Sequence, residues 1–150
     1  MLKQQIDQDL KKALLAGDKQ KVTTLRGLKS VILYAEVAKG IRDTGLDDAS
    51  IVTLFAKETK KRQESADIYA QAGHQDRANA ELNEKKIIEE YMPQQLSDEA
   101  LVVIIDKVIQ ATSVVGPQAM GKVIAEVKQQ TSGQADGARV AQFVKQQLKI

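Results

Sequence analysis

The chain has 150 residues, 43% of them apolar, with two prolines, no cysteine, a single histidine and a formal net charge of +2. That is enough apolar material for one compact core or two small ones. It excludes disulfides, cysteine nucleophiles and thiolate or histidine-cluster metal sites, and 3% aromatic residues disfavour recognition of single-stranded RNA by base stacking.

The start, MLKQQIDQDLKK, is charged throughout, and no later stretch approaches the roughly 20 apolar residues of a membrane span. The expectation is a cytoplasmic protein with no membrane partner. Apolar residues recur at helical spacing along the chain, with no run of period two, so the fold is expected to be all-α with seven helices. Leu2, Ile6, Leu10 and Leu14 form the first stripe, which ends at Gly17-Asp18. Val22, Leu25, Leu28, Ile32 and Ala35 form the second, running out at Gly40 before a loop that holds Gly45. The third helix starts at Asp47 or Asp48 as N-cap and runs from Ile51 to about Ala72, where Gly73 closes it. A fourth is predicted from Asp76 to Met92, stopped by Pro93.

The segment PQQLS, residues 93–97, joins a helix stop to a helix start and marks a boundary between subdomains 1–95 and 96–150. Ser97 is the expected N-cap of a fifth helix, with Asp98 and Glu99 in the first turn where the helix dipole favours them. LVVIIDKVI makes that helix the centre of a second core. After Gly116-Pro117, a sixth helix is expected to bury Met120, Val123, Ile124 and Val127, and a seventh Val140, Phe143, Val144 and Leu148.

Within the third helix, the inward stripe from Ile51 and Phe55 turns polar at Glu58, Arg62, Ser65 and Tyr69. Glu58 and Arg62 stand i,i+4 in the favourable order for an ion pair, and Arg62 is placed to meet Glu81 and Glu84 of the fourth helix. Two readings exist for this polar centre: a paired-carboxylate or metal site inside a helical bundle, or an ionic cluster that sets helix register. The His of the Glu-x-x-His di-metal pattern is absent, which favours the ionic cluster, so no catalytic residue, metal or cofactor is assigned. His74, in a turn beside Gly73, reads as solvated.

The tail TSGQADGARV breaks the last helical hairpin. Gly133 suits the left-handed conformation of a helix stop, and Asp136 is the natural N-cap of the seventh helix with Gly137 behind it. From Ser113 onward five cations (Lys122, Lys128, Arg139, Lys145, Lys149) face two acids (Glu126, Asp136). A helix N-terminus with an unobstructed glycine, Arg139 one turn in and Lys122, Lys128 and Lys145 flanking would seat a phosphate, although the Asp136 carboxylate competes for the same donors. Gly121, inside the sixth helix, marks a close approach either by a ligand or by the packed fifth helix.

The stretches RQESADIYAQAGHQDRANAELNEKKIIEEYMPQQLS and MGKVIAEVKQQTSGQADGARVAQFVKQQL together resemble the YqeY-like proteins, whose C-terminal half is similar to the tail domain of the B subunit of the glutamine-dependent tRNA amidotransferase. The resemblance covers nearly the whole chain. It implies an N-terminal four-helix bundle-like subdomain followed by a C-terminal three-helix subdomain. It also implies contact with tRNA at Gly121, Lys122 and the loop from Gly133 to Gly137, with the catalytic domains of the amidotransferase missing. Gln134 stands where members often carry Arg or Lys, Gln129-Gln130 thin the charge, and His74 replaces a usual Arg. Three functions follow in order of preference: a non-catalytic tRNA-binding accessory module; a module that docks on an amidotransferase, a synthetase or another protein; and, from the family name alone, a carbon–nitrogen ligase using glutamine as amido donor.

Overall fold

The computed structural model describes residues 1–113 and 116–150. Every regular element among them is helical: α1 (Leu2–Ala16), α2 (Lys19–Lys39), α3 (Asp48–Gln71), α4 (Gln75–Glu89), α5 (Asp98–Thr112), α6 (Ala119–Thr131) and α7 (Gly137–Leu148). The chain divides into two compact units, Met1–Met92 and Pro93–Ile150. Among the described residues no helix is long and apolar enough to cross a membrane.

In the first unit α1 and α2 form one hairpin and α3 and α4 a second, and α2 packs on both members of the second. Local chemistry sets the helix ends. The Asp18 carboxylate accepts from the Lys21 N–H at 3.1 Å, and that of Asp47 from the Ser50 N–H at 2.8 Å. The core between the hairpins holds Ile6, Leu25, Leu28, Ile32, Ile51, Phe55, Ile88 and Tyr91. Each fully buried large side chain contributes roughly 1.5–3 kcal/mol by leaving water.

The fourth helix ends earlier than its periodicity predicts. Beyond Glu89 the N–H groups of Tyr91 and Met92 bond to the carbonyls of Ile88 and Glu89, a tighter i→i−3 turn ahead of Pro93. The turn delivers Tyr91 into the core, where its ring meets Phe55 edge-on at 6.4 Å and its hydroxyl donates to Asp9 Oδ2 at 2.6 Å. Burial and that carboxylate hold the phenol well above its usual range.

The loop between α2 and α3 hangs on Glu36, which is 2% exposed. Its Oε1 accepts from Lys3 Nζ at 2.7 Å and from the Leu46 N–H at 3.0 Å. Gly45 lies beside this oxygen with φ +79°, and a Cβ there would stand 3.3 Å from it, so both backbone and space select glycine.

The second unit is a three-helix assembly in which α5, α6 and α7 all touch one another. Its core is nearly pure aliphatic: Leu101, Ile105, Val108, Ala119, Val123, Val127, Val140 and Val144, with Met120, Ile124, Phe143 and Leu148 partly buried around it. Ser97 caps α5 by accepting from the Ala100 N–H at 3.2 Å. Pro117 lies two residues ahead of α6 in a lead-in turn, its carbonyl accepting from Met120 N–H, rather than at the first helical position.

Candidate nucleic-acid interface

The corner between α6 and α7 is built by two successive residues of positive φ. Ser132 caps α6 at +44° and Gly133 follows at +85°, the second being the glycine that the sequence demands. The segment that joins the two units then straps this corner. Gln95 Nε2 donates to the Gly133 carbonyl at 3.1 Å, and the Leu96 N–H to the Gln134 carbonyl at 2.8 Å. Residues 133–134 therefore serve as an anchor for the strap, with their carbonyls occupied.

Arg139 completes the anchor, and its role differs from the one predicted. Its guanidinium donates to the Leu96 carbonyl at 2.6 Å and to Asp98 Oδ1 at 2.6 and 2.9 Å, clamping the start of α5 to the start of α7. An arginine so engaged is not a free phosphate seat. The sequence pattern could not show this, because Asp98 reads equally well as a dipole-matched first-turn acid.

The anion seat that remains belongs to Lys128. A Cβ on Gly137 would stand 3.0 Å from Lys128 Nζ, so this ammonium lies against the N-terminal end of α7. Asp136 occupies the N-cap position, but its side chain makes no capping hydrogen bond, so the expected competition for the first-turn N–H groups does not occur. Lys128 has no ion-pair partner among the described residues. A cation at the positive end of a helix is unfavourable by itself, and an anion between them would relieve both charges.

Around this point the other predicted residues separate. Gly121, Ala125 and Lys128 share one exposed line of α6 by helical spacing, and Gly137, Ala141 and Lys145 follow one flank of α7. Lys122 is exposed but lies about 100° round α6 from Gly121. Close packing does not explain Gly121: a Cβ there would meet nothing within 4 Å. The sixth helix thus presents bare backbone to solvent.

The polar centre of α3 is a separate site in the first unit. Arg62 Nη1 lies 3.4 Å from Glu81 Oε2 and 3.3 Å from Glu84 Oε2, joining α3 to α4 as expected. The predicted Glu58–Arg62 pair is not formed; Glu58 instead accepts from Lys61 Nζ at 3.3 Å while Arg62 turns to α4. Ser65 and Tyr69 sit half-buried beside this line, whose buried members are Thr59 and Ala66, and Tyr69 lies under the Arg77 guanidinium at 5.8 Å. Burial raises the Glu84 carboxyl above its ordinary value against the pull of Arg62, and Glu81 adds to the rise. Arg62 Nε is buried without a partner. No group of three or more His, Cys, Asp or Glu side chains among the described residues could hold a metal ion. His74 is exposed at the N-cap of α4.

An all-helical chain of two units, the second a strapped three-helix assembly with a cationic corner, defines the class of protein. The Yqey-like protein family matches residues 3–148, and the chain belongs to that family. It is also similar to "Altered inheritance of mitochondria protein 41, mitochondrial" of Kluyveromyces lactis, 36% identical over 86 residues, covering 57% of this chain and 45% of that protein. The protein of the same name from Eremothecium gossypii is 37% identical over 87 residues, covering 58% and 46%, and that of Saccharomyces cerevisiae strain YJM789 is 31% identical over 86 residues, covering 57% and 45%. The matches span less than half the length of these relatives. Their names correct the cytoplasmic expectation: they point to mitochondria, and the charged first residues carry no weight against that.

Proposed function

We propose that this protein is a non-catalytic accessory module that binds the sugar–phosphate backbone of folded RNA, tRNA first among them, through the corner of α6 and α7. The observation that carries the reading is Lys128 held against the N-terminus of α7, with no ion-pair partner among the described residues. Bare backbone at Gly121 lets a ribose–phosphate strand approach closely, and Lys122 and Lys145 supply further cations at the edges. The likeness to the amidotransferase tail supports the same surface. Arg139, Gln95 and Leu96 hold the corner's shape rather than touching RNA.

The test is a titration of bulk tRNA at 50 and 200 mM salt, concentrations in about the range where phosphate contacts are read. Lys122→Ala/Lys128→Ala is expected to weaken binding at least tenfold and to lower the salt slope by about two units, near 0.9 for each lost contact. Saturable binding indifferent to these substitutions removes the site, and no binding at the lower salt removes the function. Glutamine hydrolysis by the purified chain, abolished by Glu81→Gln, would overturn the non-catalytic reading.

A further inference from the structure

A cleft of about 280 Å³ opens between α1 and α2, and its lining joins aliphatic surface to charges of both signs. Ile6, Ile32 and Leu33 supply the apolar part. Around them stand two cations and two anions, paired from one helix to the other: Lys3 with Glu36 at 2.7 Å, and Lys29 with Asp7 at 2.7 Å. The volume lies just below the roughly 300–1,000 Å³ of sites for drug-sized ligands, so a guest here is a smaller molecule.

The two pairs differ in depth. Glu36 is buried, and both of its hydrogen bonds, from Lys3 Nζ and the Leu46 N–H, fall on Oε1. No hydrogen bond reaches Oε2 among the described residues. Arg62 Nε is the only fully buried polar side-chain atom among them that lacks a partner, so Glu36 Oε2 keeps an outlet, and the cleft is the open space that Glu36 borders. A carboxylate set this deep with an uncommitted oxygen calls for a donor. Lys29 and Asp7, by contrast, are both half exposed, and an ion pair of that kind contributes little stability and opens readily.

The charges of the lining sum to zero, and this selects among guests. A guest with a net charge would pair with one lining group and leave that group's present partner alone. An uncharged apolar guest would leave Glu36 Oε2 without a donor. A guest with both an ammonium and a carboxylate can part Lys29 from Asp7 and put two ion pairs where one stood. We infer that the α1–α2 cleft binds a small zwitterion with an aliphatic side chain, an α-amino acid of leucine size. Its ammonium meets Asp7 and Glu36 Oε2, its carboxylate meets Lys29, and its side chain lies on Ile6, Ile32 and Leu33. The cleft belongs to the first unit and the cationic corner to the second, so this inference and RNA binding fail separately.

Titration of the full chain with leucine, followed through amide NMR shifts, tests it. Saturable shifts centred on α1 and α2 around the cleft are expected. Leucinamide, which stands for the amino end of a peptide, and isocaproate each lack one of the two charges; both are expected to bind roughly tenfold more weakly or worse, the loss of one charged hydrogen bond. Asp7→Asn is expected to weaken leucine by a similar factor and to spare isocaproate, whereas Lys29→Gln weakens leucine and spares leucinamide. Lys29→Arg, which keeps the charge, is expected to retain leucine. A merely structural role for the pair would move all three ligands together, and thermal unfolding checks that each variant folds. The absence of saturable shifts, shifts centred elsewhere, or substitutions that affect all three ligands alike or none overturns the proposal. So does either analogue matching leucine, and a match by leucinamide would reassign the cleft to peptide ends.

Discussion

A single carboxylate, Glu36, lets α2 turn into the loop that precedes α3. The hydrogen bond from Lys3, reinforced by the Leu46 N–H, lowers its pKa below the ordinary 4.5. A depressed folded pKa contributes stability that is present above the unfolded value and is lost as pH falls through the folded one. Wild-type protein is therefore expected to lose stability as pH drops below about 4.5, and Glu36→Gln to show a shallower acid dependence in urea unfolding midpoints. Glu84 acts in the opposite sense. Its raised pKa gives a contribution that is complete below the unfolded value and disappears as pH rises through the folded one. Gly121 offers a cleaner separation of stability from function, because nothing crowds the place a methyl group would occupy. Gly121→Ala is expected to stabilise the second unit by about 0.5–1 kcal/mol while weakening tRNA binding, measured by thermal unfolding and titration in parallel.

The helices themselves were legible in the residues wherever an apolar stripe met a cap. Asp47 and Ser97 both cap as the patterns predict, and Val123, Val127, Val140 and Val144 are buried as expected, whereas Met120, Ile124, Phe143 and Leu148 are only partly buried and Ala119 and Thr131 complete the buried line of α6. What periodicity could not reach was the choice among partners of equal chemistry. Arg62 had Glu58 on its own helix and two glutamates on the next, and tertiary packing chose the latter pair. Arg139 was visible as a cation near a helix start, but the strap that recruits it comes from residues 95–98, some forty positions away. The only hint was that a segment read as a boundary contained Gln95, able to cap a carbonyl. The two halves of that clamp are unequal. Asp98 is largely exposed, so Asp98→Asn is expected to cost less than about 1 kcal/mol. Arg139→Ala also removes a charged donor from the Leu96 carbonyl and is expected to cost about 1.5–3 kcal/mol, with hydrogen exchange in α5 and α7 as the measurement.

Across the molecule, two cores of different make divide the work. The first mixes aliphatic residues with Phe55 and Tyr91 and carries ionic ties at its edge, while the fully buried side chains of the second are all aliphatic. Ile105→Ala is expected to cost about 2–5 kcal/mol, read as lost amide protection in α5, α6 and α7. The pairings also fix an order of assembly. Every side chain of the first core has been synthesised once Tyr91 is made, whereas the second needs Val144. The strap at Gln95 and Leu96 finds its carbonyl acceptors only when residues 133 and 134 exist. On a translating ribosome, then, the amino-terminal unit can close early, while the connector and the fifth helix wait for the last hairpin to emerge before they are tied in place.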